Sequence, residues 1–388
     1  MLLCDLTQFY SPVGGGVRRY LSEKGKYLVA GGDRHLLIVP GERTERREEE
    51  GKIVWTIESP LISRTARYRA LLNLGLIEEI LEKEKPDLIE SGDPYQVAWK
   101  ALASGRGLGI PVVGFYHSHF PEATVQAVAR HLGGLSVLIA KEISCRYVTA
   151  LYNRFEKTVV PNPELASLLQ EWGVENSVTV ELGVDTTFFY PDVARGKAWR
   201  EERGLPQDQK ILLYVGRLAP EKNIRTLLST FLHLHRADPG EYHLVVVGDG
   251  TLRGAVERVQ KETNSITWLP YCQSPTELAD FYRAANLFVH PGMHETFGLV
   301  TLESQACGTP VITIQGNPMD RLLVMTSSYG AKKNTSHSLA EAIDSFFTLG
   351  MEEKRVEIAA FIKSHYDWNH VFKKLFSIYR HVIASYRS

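Results

Sequence analysis

The sequence predicts an α/β protein of two Rossmann-like domains, each a doubly wound parallel sheet, facing one another across a cleft. Three observations carry this. Short apolar runs alternate with helix-length amphipathic stretches along almost the whole chain, and the series starts afresh near residue 210. Several of those runs end in glycine turns, as at Val215-Gly216 and Val247-Gly248-Asp249-Gly250. The 388 residues are enough for two or three domains.

A first strand is expected at 2–6, a loop at 11–16 (Ser11-Pro12-Val13-Gly14-Gly15-Gly16) and an amphipathic helix at 17–28. These are the parts of a turn that lets backbone approach a phosphate, since glycine puts no side chain in the way. The same glycines also serve ordinary turns, and the loop does not match GxGxxG. Strands follow at 35–39 and 53–57, with the mixed charge run at 42–50 between them expected as a solvated loop. Arg64, Arg67 and Arg69 precede a helix at 71–84. They read either as an exposed helix start or as contacts for an anionic acceptor or lipid headgroups.

Another strand begins at 85–90, a helix covers 95–104, and a buried strand at 110–116 delivers His117-Ser118-His119-Phe120-Pro121 to its C-terminal end. Open parallel sheets bind ligands beyond those ends, which favours a functional histidine over a structural one. A metal reading of His117 and His119 lacks a third and fourth ligand. A helix at 136–152, a strand at 157–161, a helix at 163–172 and a strand at 178–180 complete the first series. Gly183-Val184-Asp185 through Pro191 comes next, followed by the charged segment 195–203.

The second series opens with a strand at 210–216. Arg217-Leu218-Ala219-Pro220-Glu221-Lys222-Asn223 lies at its C-terminal end, before a helix at 224–235. Arg217 forks onto two oxygens and Lys222 adds a mobile point charge, so the pair suits a diphosphate, although loop cations often do nothing. A strand at 243–247 reaches Gly248, with a helix at 252–263; the turn there is either a plain strand–helix turn or a ligand contact. A strand at 266–271 ends at Tyr271, and a helix covers 276–284. Strand 311–314, the loop Gly316-Asn317-Pro318-Met319-Asp320, and helices at 339–349, 352–366 and 370–386 close the chain.

The stretch between 286 and 310 concentrates the chemistry. Leu287 to Val289 reads as a buried strand end, Pro291-Gly292 breaks it, and a helix is expected at 298–306, stopped by Gly308 and Pro310. Glu295 therefore sits in the loop before the helix, and Glu303 lies about one and a half turns inside it. The first amides of the helix, near Phe297, Gly298 and Leu299, have no intrahelical acceptor and carry partial positive charge. Amides for a phosphate and two carboxylates for hydroxyls together suit a nucleotide sugar. Two glutamates at this spacing are also common on solvated helix faces, so spacing alone does not decide.

His294-Glu295-Thr296-Phe297-Gly298 through Glu303 resembles the Glu-x7-Glu signature of retaining family 4 glycosyltransferases, the glycosyl transferases group 1 with the GT-B fold. Arg217-Leu218 through Glu221-Lys222 is similar to that family's diphosphate clamp. Gly15 and Gly16 with Arg18 or Arg19 fit its Gly-Gly-x-x-Arg, and the stretch from Tyr116 to Pro121 fits its aromatic-His-Ser/Thr-x-x-Pro. The resemblance implies a GT-B division into an acceptor domain at 1–185, joined by a last helix at about 370–388 that crosses back, and a donor domain at 186–369. It implies that His117, with His119 as the alternative, lies beside the donor sugar, that Glu295 reads that sugar, and that Glu303 accepts from the ribose. It places the end of the strand at Tyr271 against the nucleotide base. Arg217, Lys222 and the amides near Gly298 would hold the diphosphate, with Gly15 and Gly16 reaching it from the other domain. The loop at 316–320 departs from the family's Gly-Gly-x-Pro-Glu type.

What this implies is a retaining, metal-independent transfer of a hexose, mannose or glucose, from a UDP- or GDP-linked sugar to a hydroxyl of a lipid, polysaccharide or small molecule, by a front-face mechanism. The nucleotide sugar is a co-substrate and no resident cofactor is expected. A nucleotide-sugar epimerase, a phosphorylase with a pyridoxal phosphate lysine, and a non-catalytic sugar-nucleotide-binding protein are the rivals. The intact set Arg217, Lys222, Glu295 and Glu303 argues against the last.

Bulk properties narrow the rest. A hydrophobic share of 44%, a charged share of 23% and a net charge of −1 are those of an ordinary globular chain and argue against general nucleic-acid binding. Cys4, Cys145, Cys272 and Cys307 form no CxxC pair and are expected as buried small residues in a reducing compartment. The first residues are too short an apolar run for a signal peptide, and no run of 18 apolar residues is present. A cytoplasmic monomer or homodimer is expected, with peripheral contact at the inner face of a membrane left open.

Overall fold

The computed structural model describes residues 1–11, 15–62, 67–117, 134–293, 295, 297–317 and 319–388. The chain divides into two compact units, Met1–Leu182 with Val371–Ser388, and Gly183–His370. Each is an α/β unit around a parallel sheet.

Among the described residues, the sheet of the first unit contains β1 (Leu2–Leu6), β2 (Arg34–Gly41), β3 (Glu45–Glu49), β4 (Lys52–Glu58), β5 (Leu88–Ser91), β6 (Val112–Phe115), β7 (Thr158–Val160) and β8 (Ser177–Thr179). Their order is β3-β4-β2-β1-β5-β6-β7-β8, parallel throughout except for the β3–β4 pair. The sheet of the second unit contains β9 (Lys210–Val215), β10 (Tyr242–Val247), β11 (Ile266–Leu269), β12 (Leu287–His290) and β13 (Val311–Thr313) in the order β11-β10-β9-β12-β13, all parallel. Strands buried on both faces explain the near-continuous apolar runs: Leu3, Cys4, Leu6, Leu244, Val246, Leu287 and Phe288 are wholly buried.

In both sheets the chain winds one way and then the other. In the first unit the reversal falls between β1 and β5; in the second it falls between β9 and β12. Loops beyond the C-terminal ends of these strand pairs are therefore where a doubly wound sheet opens a ligand crevice.

Helix starts follow local chemistry. Asn73, Asn162, Asp192, Ser274 and Thr335 each accept a hydrogen bond from a first-turn amide, a cap that contributes about 1 kcal/mol. The Asn73 cap moves the start of the helix expected at 71–84 to Leu74. A 3-10 turn at Met351–Lys354 likewise precedes the α-helix Arg355–Tyr366, and the strand expected at 266–271 ends at Leu269. The charged segment at 195–203 folds into the helix Val193–Glu202, which meets Pro275–Ala284 so closely that a Cβ at Gly196 would stand 2.5 Å from the Arg283 carbonyl oxygen.

The run at 42–50 is not a loop. Glu45–Glu49 pairs antiparallel with β4, closed by Glu50 and Gly51 at φ 46° and 80°, the left-handed pair that suits a tight hairpin. Its alternating charges hide the strand because neither face is apolar. On an edge, charge is useful, since it blunts pairing with another chain. Cys145 and Cys272 are half-buried rather than buried, unlike Cys4 and Cys307; all four are free thiols.

The last helix, Trp368–Arg387, starts in the second unit and belongs to the first from Val371 onward. There Phe376 stacks on Tyr27 of α1 (Gly16–Ala30) at 5.4 Å. Among the described residues no helix is long and apolar enough to cross a membrane.

Candidate functional site

The second unit gathers its polar groups at the β9–β12 reversal. β9 ends at Val215 and hands the chain to Arg217, Pro220, Glu221 and Lys222, the last three forming a 3-10 turn. Asn223 follows at φ 57°, a left-handed position that asparagine tolerates. Its amide nitrogen donates to the Pro291 carbonyl at 3.0 Å and to Asn334 Oδ1 at 2.7 Å. This ties the loop after β9 to the loop after β12.

Across that tie Lys222 Nζ pairs with Glu295 Oε1. His290, the buried last residue of β12, holds the same oxygen at 3.4 Å. The Gly292 amide donates to His290 Nδ1 at 3.3 Å, so the ring proton is assigned to Nε2, which faces Glu295. Burial works to raise the Glu295 carboxyl, but the His290 hydrogen bond and the Lys222 charge outweigh it and hold it at about 2. Glu295 is thus a fixed anion at neutral pH.

Arg217 is the exposed cation of the set. Its side chain is 59% accessible, and its ion pair with Glu221 is long at 3.5 Å. Tyr214 Oη donates to the Arg217 carbonyl at 3.1 Å and so fixes the backbone but not the guanidinium. Arg217 and Lys222 share the loop, yet Lys222 is turned to Glu295.

The helix after the motif runs Leu299–Ala306. Gly298 caps it at φ 87°, where a Cβ would stand 2.6 Å from Met319 Sδ, so backbone angle and space both require glycine. Phe297 is buried, with the Arg321 guanidinium 5.1 Å over its ring. Glu303 is 2% exposed and accepts from Tyr282 Oη at 3.1 Å. His294 and Thr296 lie outside the described residues. The loop at 316–320 is organised by its own side chains: Asp320 accepts from Thr313 Oγ1 at 2.9 Å and from the Gly316 amide at 2.7 Å, and Asn317 from the Met319 amide at 2.7 Å.

Gly248 has a packing role. A Cβ there would stand 2.0 Å from the Gly216 carbonyl oxygen, so the turns after β9 and β10 lie backbone to backbone. Trp268 Nε1 donates to the Gly248 carbonyl at 2.9 Å and adds β11 to the same ridge. Tyr271, past the end of β11, is 49% exposed.

In the first unit Asp93 latches the β1–β5 reversal. Its Oδ2 accepts from Thr7 Oγ1 at 3.2 Å and from the Gln8 amide at 2.8 Å. Burial lifts its carboxyl to about 6 against these hydrogen bonds. His117 follows β6. Its Nε2 is buried with no hydrogen-bond partner among the described residues, 3.7 Å from where a Gly92 Cβ would stand, and burial pushes its imidazole down to about 4. It lines a small pocket with Asp5, Thr7, Tyr20, Glu90 and Gly92. His119 and Arg64 lie outside the described residues. Gly15, at φ 107°, caps α1, and Gly16 is its first residue; the Arg19 amide donates to the Gly15 carbonyl at 3.3 Å, and Arg18 is half-buried on the first turn.

The second unit thus brings Lys222 and Glu295 together and adds His290, Asn223 and Tyr282, and the first holds Asp93, none of which the sequence reading assigned. Two had a signal: His290 is a polar residue closing an apolar strand, and Asn223 is an asparagine between a turn and a helix. Among the described residues no group of three or more His, Cys, Asp or Glu is placed to hold a metal ion.

Comparison with known proteins gives matches over most of the chain. Residues 196–364 match the family described as glycosyl transferases group 1, and residues 14–188 match Glycosyltransferase Family 4. A GDP-mannose-dependent alpha-(1-6)-phosphatidylinositol dimannoside mannosyltransferase of Mycobacterium tuberculosis is 30% identical over 88% of this chain and 87% of its own. An alpha-monoglucosyldiacylglycerol synthase of Streptococcus pneumoniae is 26% identical over 87% of this chain and 76% of its own. Among solved structures, sucrose-phosphate synthase from Thermosynechococcus elongatus matches with TM-score 0.76 at 20% identity, covering 99% of both chains. Anabaena HepE, in complex with UDP and glucose, matches with TM-score 0.73 at 14% identity, covering 98% of this chain and all of its own. At those identities the likeness speaks to fold alone, that of two parallel-sheet GT-B domains.

Proposed function

The chain belongs to the glycosyl transferases group 1, and from that premise we propose that it transfers a hexose, mannose or glucose, from a UDP- or GDP-linked sugar to a hydroxyl acceptor with retention at the anomeric carbon. The observation that carries the reading is the Lys222–Glu295 pair across the reversal of the second sheet. It sets a cation for the departing diphosphate beside an ionised carboxylate for sugar hydroxyls.

In this reading the second unit takes the donor and the first takes the acceptor. The bond between the anomeric carbon and the diphosphate oxygen breaks as charge grows on the diphosphate. Arg217, Lys222 and the amides at the start of the helix Leu299–Ala306 stabilise that charge, and groups already in place do so without reorganisation. The acceptor oxygen bonds to the same face of the anomeric carbon, and its proton passes to the departing phosphate oxygen. Glu295 holds the sugar. His117, kept neutral by burial, has a ring nitrogen to offer a sugar hydroxyl. The buried Glu303 sets its second task beside its bond from Tyr282: it is assigned to the ribose. Gly15 and Gly16 are assigned to an anionic group, and Gly248 is left to the fold. No metal is part of the mechanism. The names of two relatives include glycolipids, which favours a lipid hydroxyl as acceptor and peripheral work at a membrane.

The test is thermal shift of the native chain and of Arg217→Ala and Glu303→Gln with UDP, GDP, ADP and their sugars, followed by nucleotide release from the sugar that binds. A ligand at 100 times its dissociation constant stabilises by about 2.7 kcal/mol. A shift with one nucleotide, weakened in both variants, supports the reading and fixes the base. No shift with any nucleotide removes it.

A further inference from the structure

We infer that His290 is a positioning residue that keeps Glu295 ionised and aimed once a diphosphate draws Lys222 away. The inference rests on the glycosyltransferase reading and goes a step further into the same site.

Two side chains grip one oxygen. Lys222 Nζ and His290 Nε2 both reach Glu295 Oε1, and among the described residues none holds Oε2. The two partners differ in kind. Lys222 is a flexible stem whose side chain is 22% accessible, and it is the group a diphosphate would recruit. His290 is 3% accessible at the side chain and cannot follow a ligand. Its ring is fixed from three directions. β12 pairs its backbone with Thr313 of β13; the Gly292 amide occupies Nδ1; and a Cβ at Gly292 would stand 2.8 Å from its Cε1, so the loop folds tightly against the ring.

The consequence follows from charge and burial. If Lys222 turns to a diphosphate, Glu295 loses its cation while remaining 17% exposed at the side chain, an environment that favours the neutral acid. A protonated Glu295 would be a worse acceptor for sugar hydroxyls and free to rotate. The His290 Nε2 contact, at 3.4 Å, persists through that exchange, stays at Oε1 and leaves Oε2 turned to the sugar. His290 thus lets one lysine serve two states of the site. Its imidazole touches Glu295 and not the reacting atoms.

The experiment separates sugar recognition from nucleotide recognition. Dissociation constants for UDP, UDP-glucose, GDP and GDP-mannose are measured by titration calorimetry on the native chain, His290→Phe and His290→Gln, with kcat and KM for the sugar nucleotide that the native chain uses. The phenylalanine ring fills the site without a donor; the glutamine amide restores an N–H toward Glu295. The free nucleotide should bind His290→Phe within about twofold of the native value, while kcat falls roughly 10- to 100-fold, the scale of a misplaced contact. His290→Gln should recover most of it. Equal kcat and equal sugar-nucleotide affinity in native and His290→Phe overturns the inference alone, as does a loss of free-nucleotide binding that His290→Gln fails to restore. A native chain that binds none of the four ligands overturns the underlying reading instead.

Discussion

Asp5 and Glu90 stand opposite each other on the paired strands β1 and β5 and share one ammonium: Lys24 Nζ lies 2.5 Å from Asp5 Oδ1 and 2.7 Å from Glu90 Oε2. All three are buried. His35 Nε2 holds the other Asp5 oxygen at 2.6 Å, and Tyr379 of the last helix donates to Glu90 Oε2. The cluster joins β1, β2, β5, α1 and the C-terminal helix beneath the pocket that His117 lines.

Replacing Lys24 by methionine should destabilise the first unit by about 3–5 kcal/mol, because it strands buried carboxylates rather than removing a balanced pair. Urea denaturation checks this. A loss below about 1 kcal/mol would mean that the carboxylates simply take up protons at little cost.

Glu90 also gives a pH dependence with a definite sign. Burial raises its carboxyl, Lys24 opposes, and Asp5 raises it further, to about 7. Asp5 is shifted the other way: burial opposes, but Lys24 and His35 hold it low, so the negative charge of the cluster rests there. A carboxyl raised on folding contributes stability that is present below its unfolded value, near 4.5, and lost as pH rises through the folded value. Asp93, at about 6, acts in the same direction, whereas His117 and His243, both lowered by burial to about 4, contribute stability that grows as pH rises from about 4 to 6.5. The native curve mixes these, so the prediction concerns a difference. Glu90→Gln should remove a slope of at most about 1.4 kcal/mol per pH unit between pH 5 and 7. Parallel curves for the two proteins over that window would show that Glu90 does not titrate there.

Gly248 makes a third case, because a glycine in a motif can serve ligand or fold. Its φ of 141° and the 2.0 Å approach of a Cβ to the Gly216 carbonyl oxygen give it a packing role. Gly248→Ala should cost about 3 kcal/mol or more of stability in the second unit. A variant with native melting temperature but weakened nucleotide binding would return Gly248 to the ligand.

These residues also show what could be read beforehand. Strand and helix positions were legible because β9, β10 and β12 are buried on both faces and their helices carry caps and apolar stripes, both of which are local signals. The hairpin strand Glu45–Glu49 was not, since an edge strand with charged faces has no apolar period to detect. The Lys24 cluster was invisible for another reason. Lys24 sits on an amphipathic helix among residues that read as solvated, and its partners come from positions 5 and 90, with 35 and 379 behind them. In the site, Lys222 and Glu295 were legible as residue types at the ends of strands. That they meet follows only from β9 and β12 being neighbours. His290 lies just before the motif but reads as a strand residue until the Gly292 turn folds it back on Glu295.

Arg217 and Lys222 are both cations of one loop, and their structural settings predict opposite variant behaviour. Arg217 is 59% accessible, with a long ion pair to Glu221, so Arg217→Ala should change stability by less than about 1 kcal/mol. Its task in the proposed reaction is the diphosphate, and affinity for UDP or GDP should fall roughly tenfold, the equivalent of one charge-assisted hydrogen bond at about 1.4 kcal/mol. Lys222→Ala should also weaken the nucleotide, but it removes a partner of the half-buried Glu295 as well. With only His290 left, the Glu295 carboxyl should rise above its value of about 2 and an acid limb should appear at higher pH in the activity profile, whereas Arg217→Ala leaves that limb where it is. Calorimetry with the free nucleotide and a pH–rate profile of each variant separate the two effects. Unchanged nucleotide affinity in Arg217→Ala would remove this residue from the diphosphate site and leave Lys222 and the helix amides to hold it.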